Sequence, residues 1–341
     1  MESPVLAHVV RGDTLESVHR GHLVVMDGTG KVVSSVGDPE LVTFFRSAAK
    51  PFQALPMIVS GAADHFGFDE EEIALACASH SGEPVHVEIV SRMLEKCGFT
   101  EVDLKCGTHL PFNDEEAKKL LRSGERATAL QNNCSGKHTA MLAFAKHIGA
   151  DPANYDVVDN AIQIEILKTV ADFSKMPIDE IRIGIDGCAV PNFAMPLGAM
   201  ARCFANLINP PDSFNEDTKN ACRRIVSAMS GHPHLIGGTE RLDTLIMEAA
   251  PGKVISKVGA EGVWLCAVLP SEKYPTGLAI SLKIEDGDDR RGRPVVAVEV
   301  LRQLSVIPSE ALSEISPIAI TNRRGDFVGE IRAKITSRQL L

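Results

Sequence analysis

Apolar and polar residues alternate in short runs through the first forty positions, VLAHVV, HLVVMD and KVVSSVG, with Gly-Asp, Asp-Gly and Gly-Asp-Pro between them. This pattern predicts antiparallel hairpins. From about residue 47 to 250 the period lengthens. EPVHVEIVSRMLEKCG and KHTAMLAFAKHIGA place apolar residues at i, i+3 and i+4 and stop at a glycine, which predicts helices. A single strand, IRIGID, interrupts this helical middle. The last ninety residues return to strands in KVISKVGAEGVWLCAVLP and TGLAISLKIED, whereas RPVVAVEVLRQL reads as strand or helix alike. Strands at both ends and helices between predict an α+β fold: a largely antiparallel sheet built from N- and C-terminal strands and covered by helices. No linker-like tract or internal repeat divides the chain, so one domain is expected over residues 1–341, with the helical region from about 47 to 250 as a subdomain.

Composition narrows the function classes. With 44% apolar and 23% charged residues, the 341-residue chain has ordinary globular make-up. Its formal net charge of −10 comes without a basic block, which argues against nucleic acid as a partner. Glu2 stands where a signal peptide wants positive charge, and no apolar run reaches the length of a membrane span. A cytoplasmic protein without a membrane partner is the expectation. The eight cysteines have no framework spacing and are expected to be reduced.

Four stretches carry chemistry. In FFRSAAKPFQALP, Ser47 and Lys50 lie three positions apart before Pro51, where a strand-like segment gives way to a helix with Phe52, Leu55 and Val59 on its apolar face. Helix N-termini favour developing negative charge, and a desolvated lysine there can act as a base. A capping serine beside a snorkelling lysine would give the same pattern. In CASHSGEP, Ser79, His80 and Ser81 precede a helix start at Glu83-Pro84 and predict a tight loop with exposed backbone N–H groups. In SKVGAEG, Lys257 falls on a strand. Serine acyl-enzymes of the penicillin-recognising kind order S-x-x-K, a serine loop and a K-T-G strand in this way, although SHS and KVG depart from those motifs. Finally, NNCSGKH and IDGCAVPN supply Cys134 at a helix start and Cys188 after a strand, two thiols that with one nitrogen suit a three-ligand zinc site. Spacing alone points to His138 as the nitrogen, since an amine must lose its proton before it ligates. Two ordinary buried cysteines would look the same.

Taken together, RGDTLESVHRG, RSAAKPFQALP, CASHSGEPVH, CGTHLPFN, NNCSGKHTAML and IDGCAVPNFAMPL resemble the rhizobial-type (class 3) L-asparaginase family from about residue 8 to 265. The resemblance implies hydrolysis of L-asparagine to L-aspartate and ammonia by a homodimer, in a fold similar to serine β-lactamases and glutaminases. It implies two Ser-Lys tandems, Ser47 with Lys50 and Ser79 with Lys257. It also implies a Zn(2+) ion on Cys134, Lys137 and Cys188, so that Lys137 takes the place spacing gave to His138. Ala48 stands where family members often carry another serine.

On this reading Lys50 takes the proton of Ser47, the expected nucleophile, with Ser79 as the other candidate. An amino-acid substrate needs a partner for each charged end. Asp186 can bind the α-ammonium and Arg46 can clamp the α-carboxylate, with His138 and Glu83 as further polar contacts. The competing classes are a penicillin-recognising serine hydrolase or glutaminase acting on another small amide, and a non-enzymatic amino-acid or metal-binding module.

Overall fold

The computed structural model describes residues 3–335. In chain order it runs β1 (Val5–Arg11), β2 (Thr14–Asp27), β3 (Val32–Val36), β4 (Val42–Phe44), α1 (Lys50–Val59), α2 (Ala62–His65), α3 (Glu70–Ala76), α4 (Pro84–Cys97), α5 (Asp114–Ser123), α6 (Ser135–Ile148) and α7 (Ala161–Ser174). It continues through β5 (Arg182–Ile185), β6 (Pro191–Pro196), α8 (Leu197–Ile208), α9 (Glu216–Gly231), α10 (Pro233–Ile236), α11 (Leu242–Ala249), β7 (Val254–Val258), β8 (Val263–Val268), β9 (Leu278–Ile284), α12 (Gly292–Gln303), β10 (Ile318–Thr321) and β11 (Phe327–Ala333). The fold is α+β, as the pattern predicts. Two compact units partition it.

The sheet unit takes the chain up to Ala48, Met195–Asn209 and the chain from Leu245 on. Its strands run β10-β11-β1-β2-β9-β8-β7, with β3 also paired to β2. The assigned neighbours are antiparallel, and both ends of the chain meet where Ala7 opposes Ala333. The long β2 serves three partners: its first half pairs with β1, and Gly21–Asp27 pair with β9 while Leu23–Met26 pair with β3. Gly21 stands where β2 turns from one partner to the next. A Cβ there would lie 2.1 Å from the Lys283 carbonyl oxygen. Strands β7 and β8 are buried along their whole length; β8 is accordingly an unbroken apolar run, whereas β7 also buries Ser256 and Lys257. Helices α8 and α12 pack on the sheet. The ambiguous stretch 293–304 is helical, and just ahead of α12 the Asp288 carboxylate accepts the N–H groups of Arg290, Arg291 and Gly292.

The helical unit takes Ala49–Ala194 and Pro210–Thr244. Helix α1 lies at its centre, packed on α6, α7 and α9. It buries Lys50 through Ile58, including Phe52 and Leu55. Val59, placed on the same apolar face by its spacing, is 38% exposed because the helix ends there and the chain turns away at Gly61. IRIGID forms β5, which hairpins onto β6 with Ile185 opposite Pro191. Among the described residues no helix is long and apolar enough to cross a membrane.

Candidate active site

Lys50 begins α1, with Pro51 in the first turn where its missing N–H leaves nothing unpaired. The side chain is 1% exposed. Its Nζ lies 2.6 Å from the Ala78 carbonyl, 3.1 Å from the Asn133 carbonyl and 2.9 Å from the Ser79 hydroxyl. The two carbonyls can only accept, so they take two of the amine's hydrogens in either charge state. The third position faces Ser79. As an ammonium Lys50 donates to that hydroxyl; as a free amine it presents its lone pair to the hydroxyl's proton. Such an arrangement moves a proton between lysine and serine without moving the heavy atoms.

Ser79 is held by its own N–H, which donates to the Ile236 carbonyl at 2.9 Å. The sequence predicted exposed backbone N–H groups in this loop. Instead Ser79, His80 and Ser81 are buried, and the N–H groups of Gly82 and Glu83 donate to the Nδ1 atoms of His80 and His86. Glu83 caps α4, as expected from Glu83-Pro84, and its carboxylate accepts from Ser81, Asn113, His234 and Thr239.

The cysteines meet beside this pair. Cys134 caps α6, and its N–H donates to Asn132 Oδ1. The β5–β6 hairpin brings in Asp186 and Cys188, whose sulfur lies 3.0 Å from Lys137 Nζ and 3.8 Å from Asp186 Oδ2. A hydrogen bond from Cys188, aided by the Lys50 and Lys137 charges and opposed by burial, holds the Cys134 thiol well below its ordinary pKa. The same bond and burial raise Cys188. Burial lowers Lys137's affinity for its proton, but the Cys188 and Cys134 sulfurs outweigh it and the net shift is upward.

His138 is fully buried. Its Nδ1 sits 2.7 Å from the Tyr155 hydroxyl, which already accepts the Lys105 N–H. The Tyr155 hydrogen is thus free to go to His138 Nδ1, and the ring also interacts with the Cys188 side chain. Burial lowers the ring's pKa to about 4, so it is neutral. Among the described residues no group of three or more His, Cys, Asp and Glu side chains is arranged to hold a metal ion. Cys134, Lys137 and Cys188 do lie together, with the Cys188 sulfur 3.0 Å from Lys137 Nζ.

The remaining predicted residues lie in the sheet unit. Arg46 and Ser47 belong to a short 3-10 turn, Arg46–Ala49, in which Arg46 holds φ at 54°. Lys257 is fully buried on β7, with Nζ donating to the Val258 carbonyl at 3.0 Å. Lys50, Ser79, Glu83, Cys134, Lys137, His138, Asp186 and Cys188 are all in the helical unit.

The sequence profile of the L-asparaginase II family matches residues 7–333. The chain belongs to that family. It is accordingly an amidohydrolase with a small amide as substrate. No curated protein matches it significantly. Among solved structures this L-asparaginase II family chain is similar to a probable glutaminase from Bacillus subtilis complexed with 6-diazo-5-oxo-L-norleucine, with 13% identity, 84% of this chain and 83% of that chain covered and a TM-score of 0.41. It is also similar to a β-lactamase from Mycobacterium bovis, with 15% identity, 83% and 94% coverage and a TM-score of 0.40. A third is a β-lactamase from Burkholderia ambifaria, with 14% identity, 84% and 94% coverage and a TM-score of 0.40.

Sequence reading missed the backbone carbonyls of Ala78 and Asn133 that hold Lys50, which carry no side-chain signal at all. It also missed Tyr155, His86, His234 and Thr239. The cluster HPHLIGGT was the available signal for the last two, since its Gly-Gly pair marks a turn.

Proposed function

We propose that the chain hydrolyses the side-chain amide of L-asparagine to L-aspartate and ammonia through a serine acyl-enzyme. The observation that carries this reading is the buried Lys50 amine, fixed by two carbonyls with its third position on the Ser79 hydroxyl. Lys50, as the free amine, takes the proton of Ser47, and Ser47 Oγ bonds to the amide carbon. The carbon–nitrogen bond then breaks as the proton passes from Lys50 through Ser79 to the leaving nitrogen, releasing ammonia. Water attacks the β-aspartyl ester and gives up a proton to the Ser79 and Lys257 tandem; the bond from the acyl carbon to Ser47 Oγ then breaks as that proton passes to Ser47 Oγ, releasing aspartate. Arg46 clamps the substrate α-carboxylate and Asp186 binds the α-ammonium, with neutral His138 as a further polar contact. Cys134, Lys137 and Cys188 would hold a zinc ion, which when bound supplies Lewis acidity to orient the substrate. The Lys50–Ser79 contact also favours a second assignment in which Ser79 is the nucleophile.

The test is a panel of L-asparagine, L-glutamine and a β-lactam, with ammonia detection and with zinc added or chelated. L-Asparagine should release ammonia, and Lys50→Met should lower kcat by about 10²–10⁴-fold. Chelation should raise KM more than it lowers kcat. Acylation by the β-lactam without ammonia from asparagine would replace this reading with the penicillin-recognising class. Mass mapping of the trapped ester decides between Ser47 and Ser79.

A further inference from the structure

Glu83 was expected to touch substrate, yet its oxygens are already taken. Oε1 accepts the Ser81 hydroxyl at 2.8 Å, the Thr239 N–H at 2.8 Å and the Asn113 amide at 3.2 Å. Oε2 accepts His234 Nε2 at 3.0 Å and the Thr239 hydroxyl at 3.1 Å. Five donors exceed the roughly four lone-pair sites of a carboxylate. The residue is 8% exposed. Burial would push its carboxyl up, but the Thr239 N–H, the Ser81 hydroxyl and the nearby His234 hold it down at about 2.

The donors come from three separate stretches of chain, and two of them grip the loop that carries Ser79. Ser81 shares its hydroxyl hydrogen between Glu83 and the Gly237 carbonyl at 3.0 Å, next to the Ile236 carbonyl that receives the Ser79 N–H. Gly238, at φ 103°, allows this approach; a Cβ there would lie 1.7 Å from Ser81 Oγ and 2.6 Å from Glu83 Oε1. The Glu83 N–H fixes His86 Nδ1 as acceptor, so His86 Nε2 carries the hydrogen that goes to the His234 carbonyl. His80, His86 and His234 stack in a column, with ring centroids 4.9 and 5.6 Å apart.

The structure assigns Glu83 as a positioning residue, which binds residues 234–239 to the Ser79 loop and so fixes the Ser79 hydroxyl against Lys50, without touching the substrate. This rests on the proposed role of Ser79 as a reacting group. A glutamine cannot substitute, because its amide nitrogen would turn two N–H groups toward donors.

Glu83→Gln should lower kcat about tenfold with KM for L-asparagine held within about twofold, since a displaced reacting group costs turnover and not affinity. His234→Ala should lower kcat severalfold, and His234→Gln, whose amide nitrogen reaches the Nε2 position, should restore it. Peptides spanning residues 77–86 should exchange their amide hydrogens faster in Glu83→Gln. A KM raised tenfold or more with kcat kept would make Glu83 a substrate contact, and unchanged kinetics in both Glu83→Gln and His234→Ala would remove the role. If the wild type releases no ammonia from any amide, the proposed function fails by itself, and hydrogen exchange then decides: faster exchange keeps the loop tie, and unchanged exchange overturns it.

Discussion

Lys50 and His86 are both buried, but their hydrogen-bond partners differ. Lys50 sits among acceptors that serve it in either charge state, which is what a proton carrier needs. His86 accepts a backbone N–H at Nδ1 and donates at Nε2, so a second ring proton would break the first bond. Burial, ahead of the opposing pull of the His234 carbonyl and the Glu83 charge, lowers its pKa to about 4. The sign follows from the two states. The unfolded chain binds this proton near pH 6.5 and the folded chain only near 4, so the contribution is complete above about 6.5 and is lost as pH falls toward 4. Its full size is on the order of 3 kcal/mol. Urea midpoints measured from pH 7 to 4 should fall in the wild type and fall less in His86→Asn, which keeps an acceptor near Nδ1 but does not titrate. Parallel curves would show that His86 is not the group responsible.

At the scale of elements, the site is assembled from a helix start, a loop and a hairpin, and these differ in how openly the sequence displays them. Cys134 before α6 and Pro51 in α1 were legible because helix starts have local signatures. The contact of Lys50 with Ser79 was not legible, since it joins two elements 29 positions apart and a spacing rule sees only Ser47. The hairpin that delivers Asp186 and Cys188 has its own irregularity. Its turn closes through the Ala189 N–H to the Asp186 carbonyl and the Asp186 N–H to the Val190 carbonyl, and Ala189 holds φ at 72°. Glycine is the usual residue in the left-handed position after such a turn, and a Cβ there costs about 1 kcal/mol. Ala189 is exposed, so its methyl group contributes no packing to offset that cost. Ala189→Gly should therefore raise the unfolding free energy by up to about 1 kcal/mol, read from the denaturant midpoint at unchanged m-value. A lower midpoint would mean that the extra unfolded-state freedom of glycine dominates.

For the molecule as a whole, the two-ended sheet was legible from strand patterns at both termini, but its outermost pair was not. Strand β10 alternates between exposed and partly buried positions, and β11 buries only Gly329 and Ile331 and follows a polar turn, so their apolar signal is weak. Yet β11 pairs with β1 over Ala7–Arg11, Ile331 is 3% exposed, and α12 packs on both strands. Ending the chain after Ile315 would leave β1 as an open edge and uncover part of the α12 face, at a cost of about 1.5–3 kcal/mol for each large side chain left exposed. The single tryptophan reports on this unit alone: Trp264 lies on β8, fully buried, with Nε1 donating to the Ser256 hydroxyl. In the shortened chain its emission should shift to the red at a lower urea concentration than in the full chain. Coincident transitions would show that the β1 edge is stable without β11 and that the sheet is held together from β2 inward.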